Sequence, residues 1–241
     1  MIITKSKLVF TLVLSLLIST SHAEEHQHGD HGHESQLFHA LWFEAQHGGG
    51  SKGDKTHIEW DGWIGGDTHK LWLKGEREGH KGKLEGSEVW ALYSRNVHDF
   101  WDAQLGLRVD TQPESTRYLT LGFNGLAPYL FETQAHLFIS DYGDVTARLK
   151  QKNHLLFTQR FGFEPYYQLD FTAQNVERQD LGRGLSQGEL GIKLFYEITR
   201  KVVPYLDLKY ERKFGRTASI ARNAHESEED WIASVGIKLL F

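Results

Sequence analysis

Apolar and polar side chains alternate along several segments of this chain. Every second position of the last eleven residues is apolar: Trp231, Ala233, Val235, Ile237, Leu239 and Phe241. The same pattern recurs at residues 100–109, 129–139, 188–198 and 206–214. Period-two alternation places one apolar row on one face of a β-strand, and about ten residues is the length that a tilted strand needs to cross a bilayer. The pattern predicts an all-β protein, an antiparallel transmembrane β-barrel of about 12 strands.

Three stretches do not follow this pattern cleanly. Residues 36–46 alternate poorly and fit a further strand, an inserted plug or a periplasmic segment. Residues 154–163 also alternate poorly, because Leu156 and Gln159 fall on the wrong faces. The long polar stretch at residues 215–230 predicts a loop on the outer side of the barrel.

The polar positions of the alternating strands would face the barrel lumen. They are Asp102, Arg108, Glu132, His136, Arg148, Asp170, Glu189, Lys193, Glu197, Asp207, Lys209 and Glu211. Long side chains of both signs would fill much of a twelve-stranded bore, which argues against a wide pore. Two interpretations stay open. One is a charge network that satisfies a polar interior, and the other is an ion path lined by Glu132, His136, Glu189 and Glu197.

Aromatic residues bear on the choice between a lipid-facing barrel and a soluble β-sandwich. Many lie near the predicted strand ends, where membrane barrels carry interfacial girdles: Trp60, Trp63, Trp72, Trp90, Trp101, Tyr129, Tyr142, Tyr166 and Trp231. A soluble all-β core is the alternative. The charged residues in the middle of nearly every strand favour the barrel.

The first residues predict export. Lys5 and Lys7 precede an apolar run from Leu8 to Ile18, and residues 21–23 (Ser-His-Ala) form a small-residue cleavage site. The run is too short to span a bilayer, so we expect a signal peptide over residues 1–23. We expect a histidine-rich flexible arm over residues 24–50 and the barrel over residues 51–241, in the outer membrane of a Gram-negative-type bacterium.

Composition excludes several classes of protein. No later apolar run approaches 18 residues, which excludes a helical membrane protein. The chain has no cysteine and therefore no disulfide framework and no thiolate ligand. The formal net charge is −5, and without a basic patch we expect no nucleic-acid partner.

The segment after the predicted cleavage site carries candidate metal ligands. It has no apolar residue that could build a core, so we expect it to be disordered, and short histidine-rich tracts are typical of metal binding. The candidate ligands are Glu24, Glu25, His26, His28, Asp30, His31 and His33. Imidazole ligands suit copper, zinc and nickel, with the highest affinity for Cu(II). A solvated polar leader without a dedicated metal is the alternative.

Cleavage after Ala23 would create a sharper site. The α-amine of Glu24, two backbone amides and the imidazole of His26 would supply four nitrogens in a plane. A square-planar nitrogen set selects Cu(II) or Ni(II) over tetrahedral zinc. We therefore favour a bound copper ion in the Cu(II) state.

Six segments carry a resemblance to a known family. They are Trp60–Asp67, Lys70–Lys74, Gly125–Tyr129, Leu156–Arg160, Gly184–Ser186 and Tyr210–Gly215. With the barrel pattern and the histidine-rich leader, the chain resembles the copper resistance protein B family of bacterial outer-membrane proteins over residues 37–241. The resemblance implies a barrel in outer-membrane lipid that sequesters copper or helps to export it from the periplasm.

The resemblance also implies partners. A periplasmic multicopper oxidase of the same resistance system would cooperate with the barrel, and the terminal Phe241 resembles the aromatic ending that the barrel-insertion machinery recognises. One feature departs from the family, whose leaders are often rich in methionine. Met1 is the single methionine here, so thioether ligands for Cu(I) are missing from the mature chain.

Enzyme motifs are not found in the sequence. The glycine run at residues 48–54 lacks the Gly-Lys-Ser/Thr of a phosphate loop, and His225-Glu226 has no second histidine at the zincin spacing. We expect a monomeric, non-enzymatic copper-binding barrel. The alternative function is a passive outer-membrane anchor or a general channel without dedicated metal binding.

Overall fold

The computed structural model describes residues 37–112 and 114–241, and it contains one closed antiparallel β-barrel. The strands are β1 (Phe38–Gly50), β2 (Gly53–Gly65), β3 (His69–His80), β4 (Lys83–His98), β5 (Trp101–Gln112), β6 (Thr116–Ala127), β7 (Phe131–Ser140), β8 (Val145–Lys152), β9 (Leu155–Leu156), β10 (Phe161–Thr172), β11 (Gly184–Tyr196), β12 (Val202–Lys213) and β13 (Glu229–Leu240). Consecutive strands pair from β1 to β8 and from β9 to β13, β8 pairs with β10, and β1 pairs with β13 to close the ring. Twelve strands form this ring, because β9 is a two-residue strand that pairs only with the start of β10. The predicted barrel is confirmed.

The first strand answers the open question about residues 36–46. Phe43 of β1 lies opposite Trp60 of β2 on one side and Leu239 of β13 on the other. Pairing on both sides satisfies the backbone of β1 in a bilayer, where no water is available to do so. The barrel therefore begins at Phe38, within the segment for which the sequence predicted an arm up to residue 50.

The apolar rows lie on the outside of the barrel, as predicted. Leu105 and Leu107 of β5, Leu206 of β12 and Val235 of β13 are all exposed. Contiguous exposed apolar surface on a folded protein requires an apolar partner, and a band around a closed barrel fits lipid.

The aromatic girdle is confirmed only in part. Tyr129, Tyr142 and Trp231 are exposed, but Trp90 is 95% buried inside the barrel, and the hydroxyl of Tyr166 donates to luminal Asp207 at 3.0 Å. The prediction was wrong for Trp90, for Tyr166 and for Trp72, which packs against the buried residues around Trp90. The parity of a position along the strand decides which face it occupies, whatever its distance from the strand end.

The two ends of the barrel differ. We call the end where β1 begins and β13 finishes the terminal end, and the opposite end the loop end. The two longest connections, residues 173–183 and 214–228, both lie at the loop end. Short 3₁₀ helices occupy Pro128–Leu130 at the terminal end and Glu177–Gln179 at the loop end.

A helix interrupts the predicted outer loop. Helix α1 (Gly215–Asn223) buries Thr217, Ala218 and Ala221, and Thr217 Oγ1 accepts a hydrogen bond from the backbone of Gly182 at 2.9 Å. The expectation of a loop over residues 215–230 was wrong for its first half, because these small side chains pack on the neighbouring connection. Within the described residues, the structure holds no helix long and apolar enough to cross a membrane.

Candidate functional site

The barrel lumen is crossed by ion pairs between strands that are not neighbours. Arg148 of β8 contacts Glu88 of β4 at 2.9 Å, and Lys55 of β2 contacts Glu211 of β12 at 2.6 Å. Lys193 of β11 pairs with Glu44 of β1. Sequence analysis predicted that Arg148, Lys193 and Glu211 face the lumen. Of the two interpretations of the luminal charges, a network that satisfies a polar interior describes these ion pairs well.

An aromatic cluster occupies one wall of the lumen. Trp90 and Leu92 of β4 pack with Tyr118 of β6 and Phe138 of β7. The guanidinium carbon of Arg108 lies 4.8 Å from the ring centre of Phe138 and 5.1 Å from that of Tyr118, within the range of cation–π attraction. The cluster and the ion pairs together occupy part of the lumen.

Among the described residues, two larger cavities lie in the lumen besides a small one of about 20 Å³ lined by Glu59, Glu76 and His136, and the charges of the two larger cavities differ. The cavity nearer the loop end has a volume of about 270 Å³, and its lining includes six carboxylates and two arginines, a formal charge of −4. We call it the acidic chamber; its charged residues are Glu76, Glu78, Glu88, Asp110, Asp170, Glu189, Arg108 and Arg148. The cavity nearer the terminal end measures about 160 Å³. Its charged residues are Glu44, Glu164, Glu197, Lys193, Arg200, Lys201 and Lys238, with His154 also on the wall.

The four residues proposed for an ion path face the lumen but do not come together. His136 is buried, with Nε2 2.8 Å from Gln104 Oε1 and its ring edge-on to Trp90 at 5.2 Å. Glu132 pairs with Lys152 at 3.2 Å.

Glu189 and Glu197 also have partners of their own. Glu189 lies 3.5 Å from Lys209, and Glu197 lies 3.9 Å from His154. Four separate pairings at different heights do not form one binding site, and the ion path stays a prediction.

The predicted ligands of the arm lie outside the described residues. These are Glu24, Glu25, His26, His28, Asp30, His31 and His33.

The structure brings together a group of possible metal ligands that sequence reasoning missed. Within the described residues, one set of three ligand-type side chains has its ligand atoms within 4.8 Å of one another: His57, Glu76 and Glu78. His57 lies on β2 and both glutamates on β3, with His57 directly opposite Glu78. A signal was present, since His57 alternates with Glu59 and Glu76 with Glu78 on two consecutive strands. What the sequence does not show is the register that places them opposite one another.

Comparisons with known proteins agree with this architecture. The family model described as copper resistance protein B precursor (CopB) matches residues 38–241. Copper resistance protein B of Escherichia coli is 36% identical over 180 residues, which are 74% of this chain and 61% of that protein. The copper resistance protein B homolog of Pseudomonas syringae pv. tomato is 36% identical over 191 residues, 78% of this chain and 65% of that protein. The chain thus matches less than two thirds of the length of either relative.

Solved structures with similar folds are porins. The NanC porin superposes with a TM-score of 0.56 at 13% identity, covering 82% of this chain and 98% of that chain. The KdgM porin in complex with disordered oligogalacturonate gives 0.52 at 12% identity, with the same coverage. At these identities the likeness concerns the fold alone. The family match over the whole barrel is the stronger finding, and by it this chain belongs to the copper resistance protein B family.

Proposed function

We propose that this protein resides in the outer membrane of a Gram-negative-type bacterium and holds copper on the periplasmic side through its histidine-rich segment, residues 24–35. Membership of the copper resistance protein B family and a porin-like barrel with exposed apolar rows support the proposal.

One observation carries the proposal furthest: the barrel begins at the end opposite its two longest connections. Bacterial outer-membrane barrels have short periplasmic turns and longer extracellular loops. The connections of residues 173–183 and 214–228 therefore support an orientation with the loop end outside and the terminal end in the periplasm. Phe38 starts β1 at that terminal end.

That orientation would put the histidines on the periplasmic side, because few residues separate them from β1. His33 precedes Phe38 by only five positions. Even a fully extended chain spans at most ~3.6 Å per residue, so His26 stays within roughly 45 Å of the rim. The barrel serves as an anchor that keeps these ligands at the membrane.

The side chains in the lumen favour a protein that holds copper over a channel through which ions pass freely. The ion pair between Arg148 and Glu88 and the aromatic cluster around Phe138 occupy part of the lumen. An ion that crossed the barrel would have to displace paired charges, which costs much of their mutual stabilisation. We therefore place sequestration ahead of export.

The chemistry of the arm favours Cu(II). His26, His28, His31 and His33 offer imidazole nitrogens, and Asp30 adds an oxygen. If cleavage follows Ala23, Glu24 contributes the amine of the planar site, and Glu25 and His26 contribute its two amides. A periplasmic multicopper oxidase that exchanges copper with this arm, and recognition of Phe241 by the insertion machinery, complete the proposal.

Copper tolerance of living cells tests the function. Cells would carry the natural chain, a variant with His26, His28, His31 and His33 replaced by alanine, or a control with Gln27 and Ser35 replaced by alanine. We expect the histidine variant alone to lower the copper concentration that permits growth, at equal amounts of folded barrel. Equal tolerance in all three strains would contradict the proposal and favour the passive anchor.

A further inference from the structure

We propose that His57, Glu76 and Glu78 form a second metal site, inside the barrel, for a divalent first-row transition ion with Cu(II) preferred. The inference deepens the proposed function, because it adds a copper site to a copper-holding barrel, but it rests on residues other than those of the arm.

The two carboxylates approach the same nitrogen of His57. Nδ1 lies 3.7 Å from Glu76 Oε1 and 3.6 Å from Glu78 Oε1. These separations are too long for hydrogen bonds. Two ligands at about 2.1 Å from a shared ion, set at a tetrahedral angle, are roughly 3.4 Å apart. Both separations from Nδ1 are thus within a few tenths of an ångström of that value, and the ligand atoms of all three residues lie within 4.8 Å of one another.

Nδ1 of His57 has no hydrogen-bond partner in the polar surroundings that the structure describes. Among the described residues, Nδ1 is buried and has no hydrogen bond, and a buried polar atom of this kind costs free energy unless something satisfies it. On the other side of the ring, Glu59 Oε2 lies 3.8 Å from Nε2. A carboxylate that accepts a hydrogen bond from the second ring nitrogen is the usual device that orients a metal-binding histidine; Glu59 lies on that side of the ring, beyond hydrogen-bond distance.

Lys150 leaves the proposed ligand atoms available. Its Nζ atom lies 3.9 Å from Glu76 Oε2 and 3.7 Å from Glu59 Oε1, whereas the opposite oxygen of each carboxylate faces His57. Three glutamates and one lysine leave a formal charge of −2 when the imidazole is neutral, the form in which histidine binds a metal. A divalent cation would balance that charge.

The site is both rigid and reachable. His57 and Glu78 are a directly opposed pair on neighbouring strands, so little ordering is needed for binding. Glu76 and Glu78 also line the acidic chamber, whose formal charge of −4 raises the local concentration of cations. One imidazole and two carboxylates suit several divalent ions, among which affinity peaks at Cu(II).

Copper titration of the full chain tests the inference separately from the arm. The starting protein carries alanine in place of His26, His28, His31 and His33, so that the arm supplies no imidazole. We expect it to keep one equivalent of Cu(II), with an electron paramagnetic resonance signal coupled to one imidazole nitrogen. His57→Gln and, separately, Glu78→Gln should weaken that binding by at least ~10-fold, since even loss of an outer partner of a ligand costs that much.

His154→Gln is the matched control. His154 is also luminal and also lies near two glutamates, but Glu164 approaches its Nδ1 and Glu197 its Nε2, at 3.7 and 3.9 Å. Carboxylates on opposite sides of the ring cannot share one ion with it, so this change should leave binding intact. Shifted mobility of unheated samples on a denaturing gel verifies a folded barrel for every variant.

The outcomes separate the two proposals. If the arm variant binds no Cu(II), or if His57→Gln and Glu78→Gln leave its binding unchanged, the inner site is wrong while the arm proposal stands. If the arm variant binds as much copper as the natural chain and loses it on His57→Gln, the inner site stands and the arm proposal fails.

Discussion

Arg148 reaches across the lumen to Glu88, its Nη1 atom 2.9 Å from Glu88 Oε1. The same guanidinium donates from Nε to Asp170 at 2.9 Å, and the other oxygen of Glu88 lies 2.6 Å from Arg108. Strands β4, β5, β8 and β10 are thereby joined through one chain of charges that crosses the bore.

Removal of this chain should open the barrel to small ions. The double variant Glu88→Ala with Arg148→Ala deletes one charge of each sign and leaves the net charge unchanged. We expect a several-fold larger single-channel conductance in planar bilayers, because the space between β4 and β8 then fills with water. The control deletes the exposed pair of Lys213 and Glu226, 3.1 Å apart at the loop end. Equal conductance in both variants would show that the ion pairs do not close the bore.

Close packing of two strands depends on Gly106. A Cβ atom there would lie 2.0 Å from the carbonyl oxygen of Ala91 and 2.7 Å from Leu92 Cα. Backbone atoms in a sheet cannot retreat, so Gly106→Ala should lower the free energy of unfolding by ~1–3 kcal/mol. Urea unfolding followed by tryptophan fluorescence measures this. Gly86→Ala is the control, since its nearest neighbour would be 3.7 Å away, and a loss as large there would refute the steric explanation.

The outward apolar rows predict that a charged side chain placed among them destabilises the barrel. Leu107 is 60% exposed near the middle of β5, where lipid would surround it. Leu107→Arg should destabilise the barrel by ~2–4 kcal/mol, the cost of arginine near the bilayer midplane. Glu85→Arg, at an exposed polar position near the loop end of β4, should change stability little. Unfolding in lipid vesicles compares the two, and a tolerated arginine at position 107 would mean that this face does not contact hydrocarbon.

The position of β1 predicts which deletions the fold tolerates. Deletion of residues 38–50 would expose the edges of β2 and β13, whose backbone groups have no partner in lipid. We expect no folded, heat-modifiable barrel from that variant. Deletion of residues 24–35 should fold normally, because the ring begins at Phe38. Failure of the shorter deletion to fold would show that the arm contributes to the barrel.

Alternation along the chain predicted the faces of most strands, because side-chain parity is a local property. Leu107 outward and Arg108 inward follow from their positions alone. Residues 36–46 were harder to interpret because Leu41, Trp42 and Phe43 are consecutive apolar residues. Trp42 lines the cavity at the terminal end, so β1 carries apolar side chains on both faces.

Contacts across the lumen could not be predicted from the sequence. They depend on the register between strands and on which strands lie opposite in a closed ring. The approach of Glu76 and Glu78 to His57 needs the register of β2 against β3, which one turn sets. The ion pair between Arg148 and Glu88 needs the closure of the whole barrel. The candidate ligands of the arm were found by composition, which requires no register.

The copper content of the purified protein tests the central claim most directly. The full chain, loaded with Cu(II) in detergent and dialysed, would be compared with the variant that has alanine at His26, His28, His31 and His33. We predict that the natural chain retains at least one copper more per molecule than this variant. The same copper content in both proteins would contradict the claim that the histidine-rich segment holds copper.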